Sequence, residues 1–329
     1  MIQASAPGRA GIVGNPTDGY GGTVISTSLA ERAHVTLVLA EATVIEIGGH
    51  RTVIRDRSDL TLDGSYTDIA KAVLTQFDAI PGEKQFHLSA ETQIPIQAGL
   101  SGSTAMLVAI LGAVLRLLDL NLNRYEIAEL ARKIEFEVMG VTCGFQDQYM
   151  AAFGGLNLMD FRGKDPHAPS DDPVFATVEP LASYVPAIPM ILANTGVRRL
   201  SGSVHKGLRE RWIEGDPAVV SGYERIMALA REAKKALLCA DWVCLGQAMN
   251  ENHAIQRDLG GSGEANERLI AAALDAGAWG AKLAGAGHGG TIAVLHPDPE
   301  EAARAMYAAG AVRVLAVTPS DGLIVESAY

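Results

Sequence analysis

Cysteine is scarce. Cys143, Cys239 and Cys244 are the only three in 329 residues, odd in number and widely scattered. That excludes a disulfide framework and implies free thiols in a reducing compartment. No CxxC pair or mixed Cys/His spacing suggests a zinc module. Basic residues are outnumbered, 27 Lys and Arg against 38 Asp and Glu, for a net charge of −11. A nucleic-acid partner needs a basic face and is not expected. A small anionic ligand stays allowed, because one local cluster of N–H groups and cations suffices for it. Long apolar runs are missing too. The longest, Ala105 to Leu115, is followed by Arg116 and is too short to span a bilayer. The opening MIQASAPGRAG has no charged segment leading into an apolar one, so no signal peptide is expected. These absences lead to the expectation of a cytoplasmic protein with no membrane partner. A homodimer is left open.

What is present is a globular composition, 48% hydrophobic and 20% charged, in a chain long enough for two domains. Strand-like, β-branched stretches cover Val24–Leu29, His34–Ile47 and Arg51–Arg55, with further strands at Lys84–Glu91 and Gly154–Met159. Helical patterns cover Ile69–Phe77, Ser101–Leu118 and Arg124–Met139, the last stopped by Gly140. Arg162–Pro173 is a charged, proline-rich loop. After a strand at Pro189–Ala193 the chain turns helical, over Ser203–Trp212, Ala218–Cys239, Trp242–Leu259 and Ala265–Ala276. It closes with a strand Ile292–Leu295, a helix Pro299–Ala309 and a strand Val312–Val317. Strands and helices do not alternate regularly, which favours α+β over a doubly wound sheet. The expected boundary lies near Ala187, giving domains 1–186 and 187–329.

Three glycine-rich segments share one chemistry: Ala6–Gly22, APGRAGIVGNPTDGYGG; Pro95–Met106, PIQAGLSGSTAM; and Lys282–Leu295, KLAGAGHGGTIAVL. Glycine permits positive φ, so successive N–H groups can converge on an anion, and it lets backbone approach phosphate closely. A helix starting directly after such a loop adds its unpaired N–H groups and dipole. Each segment alone also reads as a plain turn. The second lacks the lysine of a P-loop. The glycines of the third precede a strand rather than a helix, which disfavours a dinucleotide fingerprint.

In this order and at this spread, the three segments resemble the three motifs of the GHMP kinases, the family of galactokinase, homoserine kinase, mevalonate kinase and phosphomevalonate kinase. The resemblance covers nearly the whole chain. It implies an N-terminal α+β domain, a C-terminal ferredoxin-like α+β domain, and ATP in the cleft between them. On this resemblance Pro95, Gly99, Leu100, Ser101, Gly102, Ser103 and Thr104, with Gly285, Ala286, Gly287 and Gly289, would hold the nucleotide. Ser103 stands where the family's magnesium-side serine stands. The carboxylate partner for Mg2+ would be Glu135, with Glu137 as rival, because EFEVMGVTCGFQDQY resembles the galactokinase pattern. Asp147 matches the catalytic aspartate that takes the acceptor's proton, and Arg9 the arginine that stabilises it.

The acceptor follows from finer likenesses. Asp18 matches an aspartate that contacts sugar hydroxyls in galactokinases, but the Glu-His expected before Thr-Asp is replaced by Asn15-Pro16. GNPTDGYGG followed by TVIS looks closer to glucuronokinases, as does SGSVH at Ser201–His205 with Arg209, Arg211 and Trp212. The resemblance therefore implies a sugar-1-kinase for glucuronate or a related sugar. Asn15, Asp18, Tyr20, Gln148, Arg198, Ser201, His205 and Arg209 would bind it. A uronate carboxylate needs an arginine or several N–H donors, and Arg198, Arg199, Arg209 and Arg211 are candidates. Other kinases of the superfamily, acting on heptose phosphate, galactose or mevalonate, remain alternatives. So do a non-catalytic sugar and ATP sensor and a diphosphate decarboxylase.

Overall fold

The computed structural model describes residues 1–77, 84–164, 173–197, 201–285 and 287–327, with the side chains of 201–206 left out. In chain order the strands are β1 (Ile2–Val13), β2 (Thr23–Leu39), β3 (Thr43–Ile47), β4 (His50–Ile54), β5 (Phe86–Thr92), β6 (Leu156–Asp160), β7 (Thr177–Pro180), β8 (Met190–Asn194), β9 (Gly280–Leu283), β10 (Thr291–Leu295), β11 (Arg313–Ala316) and β12 (Ile324–Ser327). The α-helices are α1 (Asp68–Leu74), α2 (Gly102–Leu117), α3 (Arg124–Lys133), α4 (Gln146–Phe153), α5 (Ser201–Ile213), α6 (Pro217–Leu238), α7 (Trp242–Asp258), α8 (Glu264–Asp275) and α9 (Pro299–Ala308).

Two sheets organise them. Eight strands form the first, running β12-β1-β2-β5-β3-β4, with β6 and β7 continuing from the other half of β2. β2 can serve both because its 17 residues pair with β6 over Thr23–Thr27 and with β5 over Ala33–Leu39. The second sheet is antiparallel, in the order β11-β8-β10-β9, and α8 and α9 pack on it. With β8 first in sequence and β11 last, that order is the ferredoxin-like arrangement. The fold is thus the expected two-part α+β. Helix α2 is apolar nearly all round, and thirteen of its residues are buried. Such a helix belongs inside a core, and α2 lies against β1 and β2.

Several local expectations change. β1 was not foreseen, because Pro7, Gly8 and Gly11 break its pattern. It pairs with β2 through register shifts at Pro7/Arg9 and Gly11/Val13, and the long-range partner outweighs weak propensity. The strand expected over His34–Ile47 breaks at Ala40–Ala42 and becomes the end of β2 and β3. The helix expected to reach Met139 is α-helical only to Lys133. It then widens into a π-turn, Ile134–Val138. α4, β7, β9 and β12 are short elements that local pattern did not show, and each is placed by a non-local neighbour. Part of the loop expected at Arg162–Pro173 lies outside the described residues. The chain's last strand, β12, pairs with the first, β1.

Candidate active site

Arg9 sits inside β1 at a bend in its register, 7% exposed. Its backbone N–H donates to Leu100 O at 3.1 Å. Its Nε donates to Asp147 Oδ1 at 2.7 Å, and its Nη1 to Gly99 O at 2.8 Å and Ala284 O at 3.3 Å. One guanidinium therefore touches the first residues of α4 and both remaining glycine segments.

The second segment enters α2 through residues in the left-handed region: Gln97 (φ 53°), Gly99 (φ 74°) and Ser101 (φ 61°). Ser101 stands at the N-cap without a side-chain cap bond, and its buried Oγ has no hydrogen-bond partner among the described residues. The first N–H groups of the helix have no intrahelical partner. Such an orphaned hydroxyl beside free helix N–H groups fits a polyphosphate. The glycines of the third segment partly serve packing. A Cβ on Gly285 would lie 2.6 Å from Gly99 O, and one on Gly290 2.7 Å from Ala98 O. The two loops lie backbone on backbone. Gly287 likewise abuts Gly261 O, and Gly289 the Val197 carbonyl. Ala286 lies outside the described residues.

The carboxylates are sorted by burial. The π-turn carries Glu135 inward, where both of its oxygens accept from Thr104 Oγ1 at 3.1 Å and Oε2 also accepts from Gln148 Nε2 at 2.7 Å. Glu137 is exposed. Burial, then the neighbouring Asp147 charge, pushes the Glu135 carboxyl up to about 7. A buried carboxylate held this way beside a second acid fits a cation. Gln148 is itself buried, and its Oε1 has no hydrogen-bond partner among the described residues. Ser103, at the start of α2, is exposed. Among the described residues no group of three or more acidic, His or Cys side chains forms a complete metal cage.

The first segment is more internally committed than its motif suggested. Asn15 is 2% exposed; its Oδ1 accepts from Lys282 Nζ at 2.7 Å and its Nδ2 donates to Gly285 O at 3.4 Å. Asn252 on α7 clamps the same loop, accepting from Gly14 N at 2.9 Å and donating to Asn15 O at 3.2 Å. Asp18 is 4% exposed and accepts from three donors at the start of α4. Tyr20 packs against Trp212 and Tyr223, with ring centroids 5.1 and 4.8 Å apart. Arg209 lies with its guanidinium carbon 5.5 Å from the Phe136 ring, and Arg211 pairs with Asp216 at 2.8 Å. Arg198 and Arg199 lie outside the described residues, as do the side chains of Ser201 and His205. Sequence reading passed over Thr104's bond to Glu135, Asn252 and Lys282. Lys282 opens the third segment, and a lysine among the small and apolar residues of β9 was its only signal.

A glycine loop opening into a helix, an Arg–Asp pair beside it and a second α+β unit closing over both define a small-molecule kinase. The chain belongs to the GHMP kinases. The models of the GHMP kinases N terminal domain and the GHMP kinases C terminal match residues 66–155 and 230–312, more than half of the chain together. It is 30% identical to a mevalonate kinase from Pyrococcus horikoshii, covering 99% of this chain and 98% of that one. It is 29% identical to glucuronokinase 1 from Arabidopsis thaliana, covering 88% and 83%. The crystal structure of a D-glycero-D-manno-heptose 1-phosphate kinase from Bacteriodes thetaiotaomicron is similar over 100% of both chains, with a TM-score of 0.78 and 26% identity. Kinases of this family take their phosphoryl group from ATP. No helix among the described residues is long and apolar enough to cross a membrane.

Proposed function

We propose that this protein phosphorylates the anomeric hydroxyl of glucuronate or a related sugar, giving a sugar 1-phosphate and ADP. The observation that carries the reading is the Arg9 guanidinium, which joins Asp147 to the carbonyls of both glycine loops. A group that accepts a proton from an acceptor hydroxyl must stand beside the transferring phosphoryl. Asp147 is held by Arg9, which also bonds both glycine loops, and its side chain is 28% exposed, which supports that role. On this reading Arg9 also offsets charge developing in transfer. Ser103 Oγ and Glu135 would hold Mg2+, which when bound neutralises phosphate charge. The intracellular chemistry of three free thiols fits a cytoplasmic setting.

The sugar reading is supported by the likeness of GNPTD and CGFQDQ to sugar-kinase motifs and by half-buried Tyr20 and Trp212, with Arg209 near Tyr20. A mevalonate acceptor is the second reading, supported by the mevalonate kinase likeness reaching 99% of this chain. An ADP-release screen over glucuronate, galacturonate, galactose, glucose, heptose 7-phosphate and mevalonate separates them. Charge-assisted bonds to a carboxylate contribute roughly 1.5–3 kcal/mol each. Glucuronate should therefore exceed glucose by about ten- to a hundred-fold in kcat/KM, and Arg209→Ala should close much of that gap. A neutral hexose, a heptose phosphate or mevalonate with the higher kcat/KM overturns the uronate reading. Asp147→Asn keeps the shape but cannot accept the proton, and should cost about 10²–10⁴-fold in kcat. A variant within about threefold of wild type places the base elsewhere.

A further inference from the structure

We propose that Asp18 is a positioning residue for Asp147 and not a ligand of the acceptor. The inference rests on the reading of Asp147 as the base. Helix α4 begins at Gln146, one residue before Asp147, and the residue at its N-cap, Phe145, supplies no side-chain cap. A helix start normally needs one. Asp18 provides it from 127 residues away, accepting at Oδ2 from Phe145 N at 2.8 Å. The same oxygen accepts from Gln146 N at 3.1 Å. Its Oδ1 accepts from Gln146 Nε2 at 2.8 Å, and Gln146 Oε1 in turn accepts from Ser26 Oγ at 3.0 Å. A carboxylate has about four acceptor sites, and three are taken in a side chain only 4% exposed. The one site left lies on an almost fully buried side chain, which gives an acceptor hydroxyl little access to it.

Gly144 supplies an independent observation. Its backbone is not in the left-handed region, so alanine is conformationally acceptable. Yet a Cβ there would collide with Asp18 Oδ2. The chain approaching α4 is shaped around this carboxylate. Ser26, Gln146 and Asp18 together fix the first turn of α4, while Arg9 fixes the Asp147 side chain from the other end. Displacing a reacting group by about 1 Å can cost about a hundred-fold in rate.

The test uses the full chain, with ATP and D-glucuronate, or with whichever screened acceptor replaces it. Asp18→Ala and Gly144→Ala should each lower kcat by roughly 10–100-fold while leaving the acceptor KM within about threefold. The double variant should be no worse than either single one, because both remove the same cap. Asp18→Asn keeps one acceptor oxygen for the two backbone N–H groups and should recover most of kcat. Hydrogen exchange over residues 144–148 should quicken in Asp18→Ala and Gly144→Ala and stay near wild type in Asp18→Asn. If Asp18→Ala does not fold, Gly144→Ala and Asp18→Asn carry the test. A raised acceptor KM with kcat kept overturns the proposal and makes Asp18 a ligand, and a neutral Gly144→Ala overturns it by showing that the cap does not position Asp147. An active Asp147→Asn overturns the reading of the base, and this inference with it.

Discussion

Glu135, proposed for the metal site, stands in the fold at a cost to stability. Its ordinary carboxyl value of 4.5 rises to about 7 in the fold, first through burial and then through the Asp147 charge. The fold thus favours the protonated form. Its contribution to stability is full below about pH 4.5 and is lost as pH climbs to about 7. Above pH 7, without nucleotide or metal, Glu135→Gln should unfold at a higher urea midpoint than wild type. The same variant should need more Mg2+ for half-maximal rate, as should Ser103→Ala, which removes the proposed hydroxyl ligand. At limiting Mg2+, the wild-type rate should rise through about pH 7 as Glu135 ionises, and that rise should vanish in Glu135→Gln. An unchanged magnesium titration in both variants would remove these residues from the metal site. Sequence spacing left Glu135 and Glu137 open. A solvated glutamate and a desolvated one look alike in a string of letters, and only the π-turn separates them.

At the scale of elements, the glycine segments act in pairs. Gly99 takes left-handed backbone, so its role was written in its residue type, whereas Ser101 takes the same conformation without glycine's freedom. Gly285 does not. It is small because Gly99 O passes 2.6 Å from where its Cβ would be. Gly285→Ala should push the second and third segments apart and raise the KM for ATP by about tenfold or more. It should leave the acceptor KM nearly unchanged, because Asp147 keeps its bond to Arg9 Nε. Equal effects on both substrates would mean that the two loops do not act together on the nucleotide. The long periodic helices α2, α6 and α7 were legible, because burial on one side or all round leaves a pattern over many residues. The four-residue strands β9 and β12 were not. Each pairs with a neighbour distant in sequence or across a loop, and four residues carry too little periodicity.

Across the whole molecule, Lys282 lies at the junction of the two sheets. It is fully buried in β9 and donates to Asn15 Oδ1 of the first segment and to Leu283 O. Burial, then the positive Arg9, pulls its ammonium down from 10.5 to about 7. The fold therefore favours the neutral amine, and the unfolded chain binds more protons between about pH 7 and 10.5. Stability from this site should rise over that window. Measured by urea midpoints, Lys282→Met should gain most on wild type at or below pH 7, and the gain should shrink toward pH 10. A gain that grows with pH would mean that the charged ammonium stabilises the junction instead.

Taken by itself, the sequence determined the kind of chemistry: three glycine segments in a fixed order, an arginine, an aspartate and helices in an α+β chain. Those are local properties, set by which residues allow positive φ, start helices or bury one face. The tertiary structure alone decided which side chains those segments use on each other. Arg9 meets Asp147 across 138 residues and Ala284 across 275. Asn15 and Asp18, which read as residues offered to an acceptor, spend their polar atoms on Lys282, Gly285 and the start of α4. Desolvation and hydrogen-bond partnership depend on what the chain brings close in space, and neither is carried by the order of the residues.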